Sequence, residues 1–474
     1  MRNERRNTVS PLALAVLAGG LLLSSVTGAR ADAVDVDKLS TETAKSLVLV
    51  EYTYRNENAS REESGQGIVL SKDGVVLISG GLIPESAPKD YIKGIKIRLP
   101  GKPVGTIPAE FLGRTVDRIF AYVKAEKPLN VPPLNIGQTG PVKLGQQVMS
   151  VALLGKGGGF EPYVGVSTIK AVMHMTHDMA ITQTFGLTRA TSPVFDVTTG
   201  ALVGVTYPAT PEALTMIINN QMAAVQIRDD EQSRAFLPWE EVQNAVKDIP
   251  TKAFDARRPW MGLDGLAGLE EDLREKEGIK QAAGVTVGAV VPGEPADKGG
   301  LQGRDIVLTM NGKEFSSSTV PELMVAHFQR AIEKLKIGDE VKLGVLRDGK
   351  AVEVPVKIGP SPKVGSEMTH VYNTKVGITT RDLVFGDAYS RKLPQDTKGV
   401  MVALVKQGGP AGLGQTPLRP GYLITRVNDQ DVADQKQFLD LLKAATEDAE
   451  KTEVVFRVIR ADGETAVCRI DLSK

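Results

Sequence analysis

The sequence predicts a mainly β protein: a barrel or sandwich of short strands, followed by two copies of a smaller β-rich module. Three observations carry that expectation. Short apolar runs of strand length recur between turn residues over the first half, with no long helical periodicity. A stretch of the second half occurs twice, and an internal repeat fixes what the folding unit is. The 474-residue chain holds 48 Gly and 27 Pro, enough for many turns, with 42% apolar and 24% charged residues, an ordinary globular balance. That length suggests about three domains.

The elements follow in order. Arg2, Arg5 and Arg6 precede an apolar run over 12–23, and Ala29-Arg30-Ala31 supplies small residues at a cleavage position. This reads as a secretory signal peptide over 1–31, because the apolar run is too short to span a bilayer. No later run is long enough to span one, so a periplasmic or secreted protein is expected. Residues 32–38 read as a polar lead. From Ser46, Leu47, Leu49, Glu51 and Thr53 alternate with Val48, Val50, Tyr52 and Tyr54, a strand of period two. Residues 56–64 are polar and read as loop. Residues 67–70 and 75–78 flank Lys72-Asp73-Gly74, the signature of a hairpin turn. Further strands are expected at 95–99, 109–112, 119–124, 145–153, 165–172 and 201–205, with a helical turn or two at 242–246 and a linker over 248–258.

The first copy of the repeat runs Val285-Thr286-Val287-Gly288-Ala289-Val290-Val291-Pro292-Gly293-Glu294-Pro295-Ala296, then Gly300-Leu301, then Ile306-Val307-Leu308-Thr309-Met310-Asn311-Gly312. The second runs Val400-Met401-Val402-Ala403-Leu404-Val405, then Gly409-Pro410-Ala411, Leu418, Gly421, and Leu423-Ile424-Thr425-Arg426-Val427-Asn428. Each reads as strand, small-residue turn, Leu, and a second strand ending in Asn. The region 319–335 reads as a helix, with Val320, Leu323, Met324, Phe328, Ile332 and Leu335 at helical spacing; Phe438, Leu441 and Leu442 play the same part in the second copy. Pro360-Ser361-Pro362 reads as a stiff linker.

Composition also excludes. Formal net charge is zero, which argues against a general attraction to nucleic acid. The single cysteine, Cys468, can form no internal disulfide and reads as a buried small hydrophobe on a strand. The four histidines, His174, His177, His327 and His370, read chiefly as surface or packing residues. His174 and His177 with Asp178 could in principle hold a metal, but no Cys or further His completes a ligand set, so no metal or cofactor is expected.

Both copies of the repeat resemble PDZ domains of the HtrA type. Trp260, Met261, Gly262 and Leu263 match that family's carboxylate-binding loop in the first copy, and Lys375, Val376, Gly377 and Ile378 in the second. Arg304 sits where Gly is usual, and Pro420-Gly421-Tyr422 replaces the usual Ala-Gly-Asp. A second resemblance, over roughly residues 40–250, is to the trypsin-like domain of HtrA proteases. It rests on residues 64–74, on Leu134-Asn135-Ile136-Gly137 followed by residues 143–148, and on Phe236-Leu237-Pro238 with Val242. The resemblance implies a trypsin-like double β-barrel over 40–250 and PDZ domains over 258–359 and 366–474.

It also implies a Ser-His-Asp triad, in which Ser attacks, His takes its proton and Asp orients the imidazole. Carried onto this sequence, the slots are empty. Gly81 stands in the His slot, Ile119 in the Asp slot and Ala190 in the Ser slot; the Gly pair beside the Ser slot, whose loop supplies oxyanion amides, is lost too. Asp117 lies two positions before its slot and reads as a solvated turn residue. Residues 40–250 therefore read as a pseudoprotease.

PDZ domains add a peptide strand to a sheet edge and hold its carboxylate on backbone N–H groups, which needs geometry more than particular side chains. Candidate peptide-binding residues are the two loops with Met324, Phe328, Phe438 and Leu441. The leading expectation is an exported protein that binds C-terminal or unfolded peptide segments as a chaperone, scaffold or regulator. One alternative is an active endopeptidase in which Ser192 meets His174 or His177. Another is a structural subunit that assembles with an active relative; the family's trimers imply a possible homotrimer.

Overall fold

The computed structural model describes residues 34–100, 105–182, 186–207, 214–218, 221–225, 234–250, 257–316, 320–413, 416–447 and 452–473. The expected signal peptide lies outside the described residues. No helix among the described residues is long and apolar enough to cross a membrane.

Two closed six-stranded antiparallel barrels come first. The first is built from Leu47–Arg55, Ser60–Val69, Val75–Ser79, Ile92–Arg98, Thr106–Arg114 and Phe120–Ala125. The second uses Gln147–Leu153, Pro162–His174, Asp178–Thr182, Pro193–Asp196, Leu202–Thr206 and Arg234–Pro238. Successive side chains of a strand point to opposite faces, and here both faces are buried. Val48, Val76, Ile78, Ala121 and Val123 fill the first barrel. Their neighbours Leu47, Leu77, Phe120 and Tyr122 instead join Met149, Phe195 and Leu237 in the seam between the barrels. That is why these strands read as continuous apolar runs. The helix Trp239–Lys247 closes the seam, and Tyr122 Oη donates to Ala245 O at 2.6 Å.

Two local expectations fail. Residues 60–64 are strand, not loop, paired with Leu47–Arg55 from Arg55↔Ser60 onward. They are polar because this end of the hairpin is mostly solvent-facing. The polar lead gives way to a helix, Val36–Ala44, capped by Asp35 Oδ1 on Lys38 N. The short strands Asp178–Thr182, Pro193–Asp196 and Arg234–Pro238 complete the second barrel and were not expected from sequence.

The two repeats share one architecture, a curved antiparallel sheet with one long helix, Pro321–Glu333 in the first and Gln435–Glu447 in the second. The repeated Asn does the same work in both. Asn311 and Asn428 take φ of 51° and 50°. Asn311 Oδ1 accepts from Lys342 N and Asn428 Oδ1 from Val455 N. Asn tolerates this left-handed turn better than most side chains. Pro360 is no free linker, since Pro259–Trp260 pairs with Gly359–Pro360. Cys468 is buried within Thr465–Asp471.

Arg304 adopts φ 75°, and Gly421 takes φ 88° at the matching turn of the second repeat. A left-handed Arg costs about 1–2 kcal/mol, while glycine there adds about 0.5–1 kcal/mol of chain entropy to the unfolded state. Because Arg304 is exposed, Arg304→Gly is expected to raise stability by up to about 1 kcal/mol. Urea denaturation checks this; a loss would mean the Arg304 side chain contributes more than its backbone strain removes.

Each unit touches the other two. The first repeat meets the barrels through Leu323, packed on the seam cluster, and Arg330. The repeats meet where Tyr389 Oη donates to Asp264 Oδ2 at 3.0 Å and Gln395 Nε2 to Pro292 O at 3.2 Å. The second repeat returns to the first barrel, where Asn58 Nδ2 donates to Val405 O, Gln407 N to Asn58 Oδ1 and His370 N to Asp90 Oδ2, each at 2.9 Å.

Candidate functional site

The inter-barrel cleft brings the His-slot turn against the Asp-slot strand. Gly80 N donates to Ile119 O at 2.7 Å. A Cβ on Gly80 would fall 1.9 Å from Arg118 O, so only glycine permits this approach. Gly81 is exposed, and a Cβ there would meet nothing nearer than Ser79 Oγ at 3.7 Å. There is room for a side chain at Gly81. Ile119 packs half-buried on the seam cluster.

The third slot lies in the loop before Pro193–Asp196. Here the backbone donors are turned inward. Thr188 N donates to Ser150 Oγ, Arg189 N to Tyr163 Oη, Thr191 N to Thr206 O and Ser192 N to Thr206 Oγ1. A loop arranged to hold an oxyanion keeps such amides aimed at the reacting carbonyl. In this stretch, among the described residues, the amide of Ala190 alone has no partner. Thr191, β-branched and buried, sits at φ 62°, a strained conformation for its type. Ser192 is fully buried; its Oγ donates to Arg189 O at 2.8 Å and accepts from Gln66 Nε2 at 2.9 Å.

Gln66 itself is a site residue that sequence reasoning missed. It is 3% exposed and spans the barrels: Nε2 also donates to Thr191 O at 2.9 Å, and Oε1 accepts from Leu153 N at 2.8 Å.

Asp117 is not a solvated turn residue. Its carboxylate accepts from Thr115 Oγ1 at 2.5 Å and Ile119 N at 3.1 Å. Its Oδ2 pairs with His177 Nε2 and with Arg330 Nη1, each at 3.1 Å. These side chains are largely buried. Burial alone would raise the carboxyl pKa, but hydrogen bonds from His177 and Thr115 and the charge of Arg330 reverse it and hold it well below the usual carboxylate range. Burial likewise pushes Glu333, beside Arg330, upward. So an imidazole and a carboxylate do meet, from different barrels. The one hydroxyl at this pair, Thr115 Oγ1, bonds the carboxylate and not the imidazole: among the described residues His177 bonds only to Asp117, and His174 Nδ1 bonds to Asp178 at 2.9 Å.

Two arginines lie close to the turn at Gly80 and Gly81. Arg114 Nη1 donates to Gly80 O at 3.0 Å, and burial pushes its guanidinium down to about 10. Arg118 Nε donates to Glu85 Oε1 at 3.1 Å, and burial together with the nearby charge of Arg258 lowers it as well.

In the first repeat, Gly262 has φ 78°, and among the described residues the strand Leu263–Asp264 pairs on one edge only, with Ala289–Val290. Among the described residues the amides of Met261 and Gly262 have no partner. Trp260 stands half-buried beside them, its ring 5.9 Å from Phe385 of the second repeat. Met261, Met324 and Phe328 are buried in the core, Phe328 edge-on to Phe315 at 5.4 Å, so neither Met324 nor Phe328 lines an open groove.

In the second repeat, Gly377 has the matching φ of 76°, and Ile378 and Phe438 are fully buried while Leu441 is half-buried. The amides of this loop are already taken. Lys375 N and Val376 N donate to Asn373 Oδ1 at 3.0 and 3.1 Å, and Gly377 N to Asn373 O at 2.9 Å. No group of three or more His, Cys, Asp or Glu side chains that could hold a metal ion is found among the described residues.

Comparison with known proteins adds to this geometry. A profile of the PDZ domain family matches residues 267–358. A protein of Pseudomonas savastanoi pv. phaseolicola named a probable periplasmic serine endoprotease, DegP-like, is 26% identical over 420 residues, covering 84% of this chain and 77% of its own. A protein of the same name from Hahella chejuensis is 25% identical over 409 residues, covering 82% and 77%. Among solved structures, a serine-to-alanine form of the HtrA-type protease AlgW with a decapeptide aligns with TM-score 0.51 at 17% identity, over 70% of this chain and 99% of that one. That likeness is one of fold. With its two six-stranded barrels and its match to the PDZ profile, the chain is similar over most of its length to HtrA/DegP-type serine proteases.

Proposed function

We propose that this is a periplasmic HtrA/DegP-like protein whose protease domain does not hydrolyse peptides and whose PDZ module binds C-terminal or unfolded peptide segments, as a chaperone, scaffold or regulator. One observation carries the first half: the loop at Ala190 spends the amides of Thr188, Arg189, Thr191 and Ser192 inside the protein. This stands beside Gly81, Ile119 and Ala190 in the slots where the family's chemistry lies. Removing triad members typically lowers kcat by about 10⁴-fold or more, and a lost oxyanion donor by about 10²–10³-fold. The second half is supported by the open amides of Met261 and Gly262 and the free edge of Leu263–Asp264, together with the periplasmic naming of the relatives.

A fluorophosphonate probe is expected to leave the protein unlabelled, with casein intact over hours beside an active relative. Labelling abolished by Ser192→Ala would overturn the inactive reading. For the binding half, a labelled apolar peptide with a free C-terminus should bind and its amidated twin should not; equal behaviour of the two would sink recognition by carboxylate. A second reading, assembly with copies of itself or an active relative, draws on Val164 and Val166, exposed by 42% and 53% on one face of Pro162–His174. Light scattering with and without such a relative reads it.

A further inference from the structure

We infer that the second repeat carries its own ligand, so that the resting chain accepts a C-terminal peptide at the first repeat alone. This rests on the peptide-binding reading above and goes beyond it by dividing the two repeats.

The argument starts from backbone supply and demand. A peptide that adds a strand needs a free sheet edge, and its carboxylate needs unpaired N–H groups at the end of that edge. In the first repeat both are on offer. In the second, the strand Ile378–Asp382 is paired on both sides. One edge takes Val400–Val405. The other takes Val371–Asn373, in register Val371↔Thr380, Tyr372↔Thr379, Asn373↔Ile378. The long helix also bears on this strand, where Gln435 Nε2 donates to Thr380 O at 3.2 Å and Gln435 N to Asp382 Oδ1 at 2.7 Å. With both of its edges paired, the strand has no backbone left for an incoming peptide.

The nest is filled as well. Asn373 ends the segment, and its side-chain carbonyl accepts the amides of Lys375 and Val376 while its backbone carbonyl accepts that of Gly377. A carboxamide oxygen and a carbonyl oxygen together take the places of the two oxygens of a terminal carboxylate. Both loops carry a glycine at positive φ, Gly262 at 78° and Gly377 at 76°; they part company in what precedes it, since Pro259–Trp260 leads away to pair with Gly359–Pro360 while Val371–Asn373 folds back on Ile378–Asp382.

The built-in ligand is also tethered. His370, one residue before it, donates its N–H to Asp90 Oδ2 at 2.9 Å, and its ring lies 5.5 Å from that of Tyr91 on the first barrel. Withdrawing the segment therefore strains the seat of the second repeat on the barrel.

The test is calorimetric titration of the full chain with a ten-residue peptide ending in Leu-Leu with a free carboxylate, and with its amide. Wild type should take up a single peptide per chain. The variant Val371→Pro with Asn373→Ala removes a strand N–H and the plug, and should take up a second. Uptake of two by wild type, or of no more by the folded variant, overturns the inference. If wild type binds nothing but the variant gains a site, the peptide-binding reading of the first repeat fails while the self-ligand stands; silence from both defeats both. Should that variant misfold, hydrogen exchange on Asn373→Ala decides: the Lys375 and Val376 amides should exchange roughly tenfold faster than in wild type. Asn373→Asp, which puts a carboxylate in the nest, should keep them protected. Unchanged exchange in Asn373→Ala overturns the inference.

Discussion

Gln66→Leu is expected to lower the unfolding free energy by about 2–6 kcal/mol, far more than a change of one polar group usually does. The reason is what the amide leaves behind. Gln66 satisfies Leu153 N on one side and Thr191 O and Ser192 Oγ on the other, with 3% of its surface exposed. Leucine fills the volume and satisfies none of them. Each buried group stripped of its partner costs about 1–3 kcal/mol, and water cannot reach in to help. Gln66→Glu should be no better, since a carboxylate would still accept from Leu153 N but would face the oxygen of Thr191. Urea unfolding measures the difference. A loss below about 1 kcal/mol would mean the loop at Ala190 is held by its contacts to Ser150, Tyr163 and Thr206 without help from Gln66.

Asp117→Ala is the second large effect, expected at about 3–5 kcal/mol. The substitution leaves Arg330, whose Nε is already buried without a partner, and His177 without the carboxylate they share, with only Glu333 at 3.7 Å still beside Arg330. Its pH dependence has a definite sign. The folded carboxyl is held below its unfolded value, about 3.9. Its contribution is therefore fully present above the unfolded pKa and is lost as pH falls through the folded one. The gap between wild type and Asp117→Ala should be level from pH 5 to 7 and shrink below about pH 4. A gap that is constant to pH 2 would remove the ionised carboxylate from the account. Arg330→Met, an apolar replacement of similar reach, should cost less, because it removes a buried charge rather than stranding one.

These two residues also mark where the sequence stops being legible. The strands were readable because period-two patterns and turn residues are local signals; the repeat was readable because it recurs. Strand Ser60–Val69 was half missed, since its first residues are paired in a solvent-facing part of the sheet and carry no apolar signal. Asp117 looked like a turn residue because its partners lie 60 and 213 positions away. Gln66 was hidden in a Gly- and Ser-rich motif whose family pattern draws attention to the glycines. Gly81, Ile119 and Ala190 could be singled out from sequence as candidate positions, but not the inward turn of the amides around Ala190, which follows from Ser150, Tyr163 and Thr206 on other strands. Asn373 was the nearest miss. An Asn two positions before a pair of amides is a recognised turn former, and its place next to Lys375 could have flagged the loop as occupied.

The contacts joining the barrels to the first repeat, the first repeat to the second, and the second back to the first barrel through Asn58 and Asp90 close a circuit. In an open string of domains any joint can swing by itself. In a loop of three bodies no hinge can turn unless another gives, so motion here is shared or it does not happen. Freeing one corner, at Arg330 or at His370, would turn the loop back into a string and release both remaining corners together.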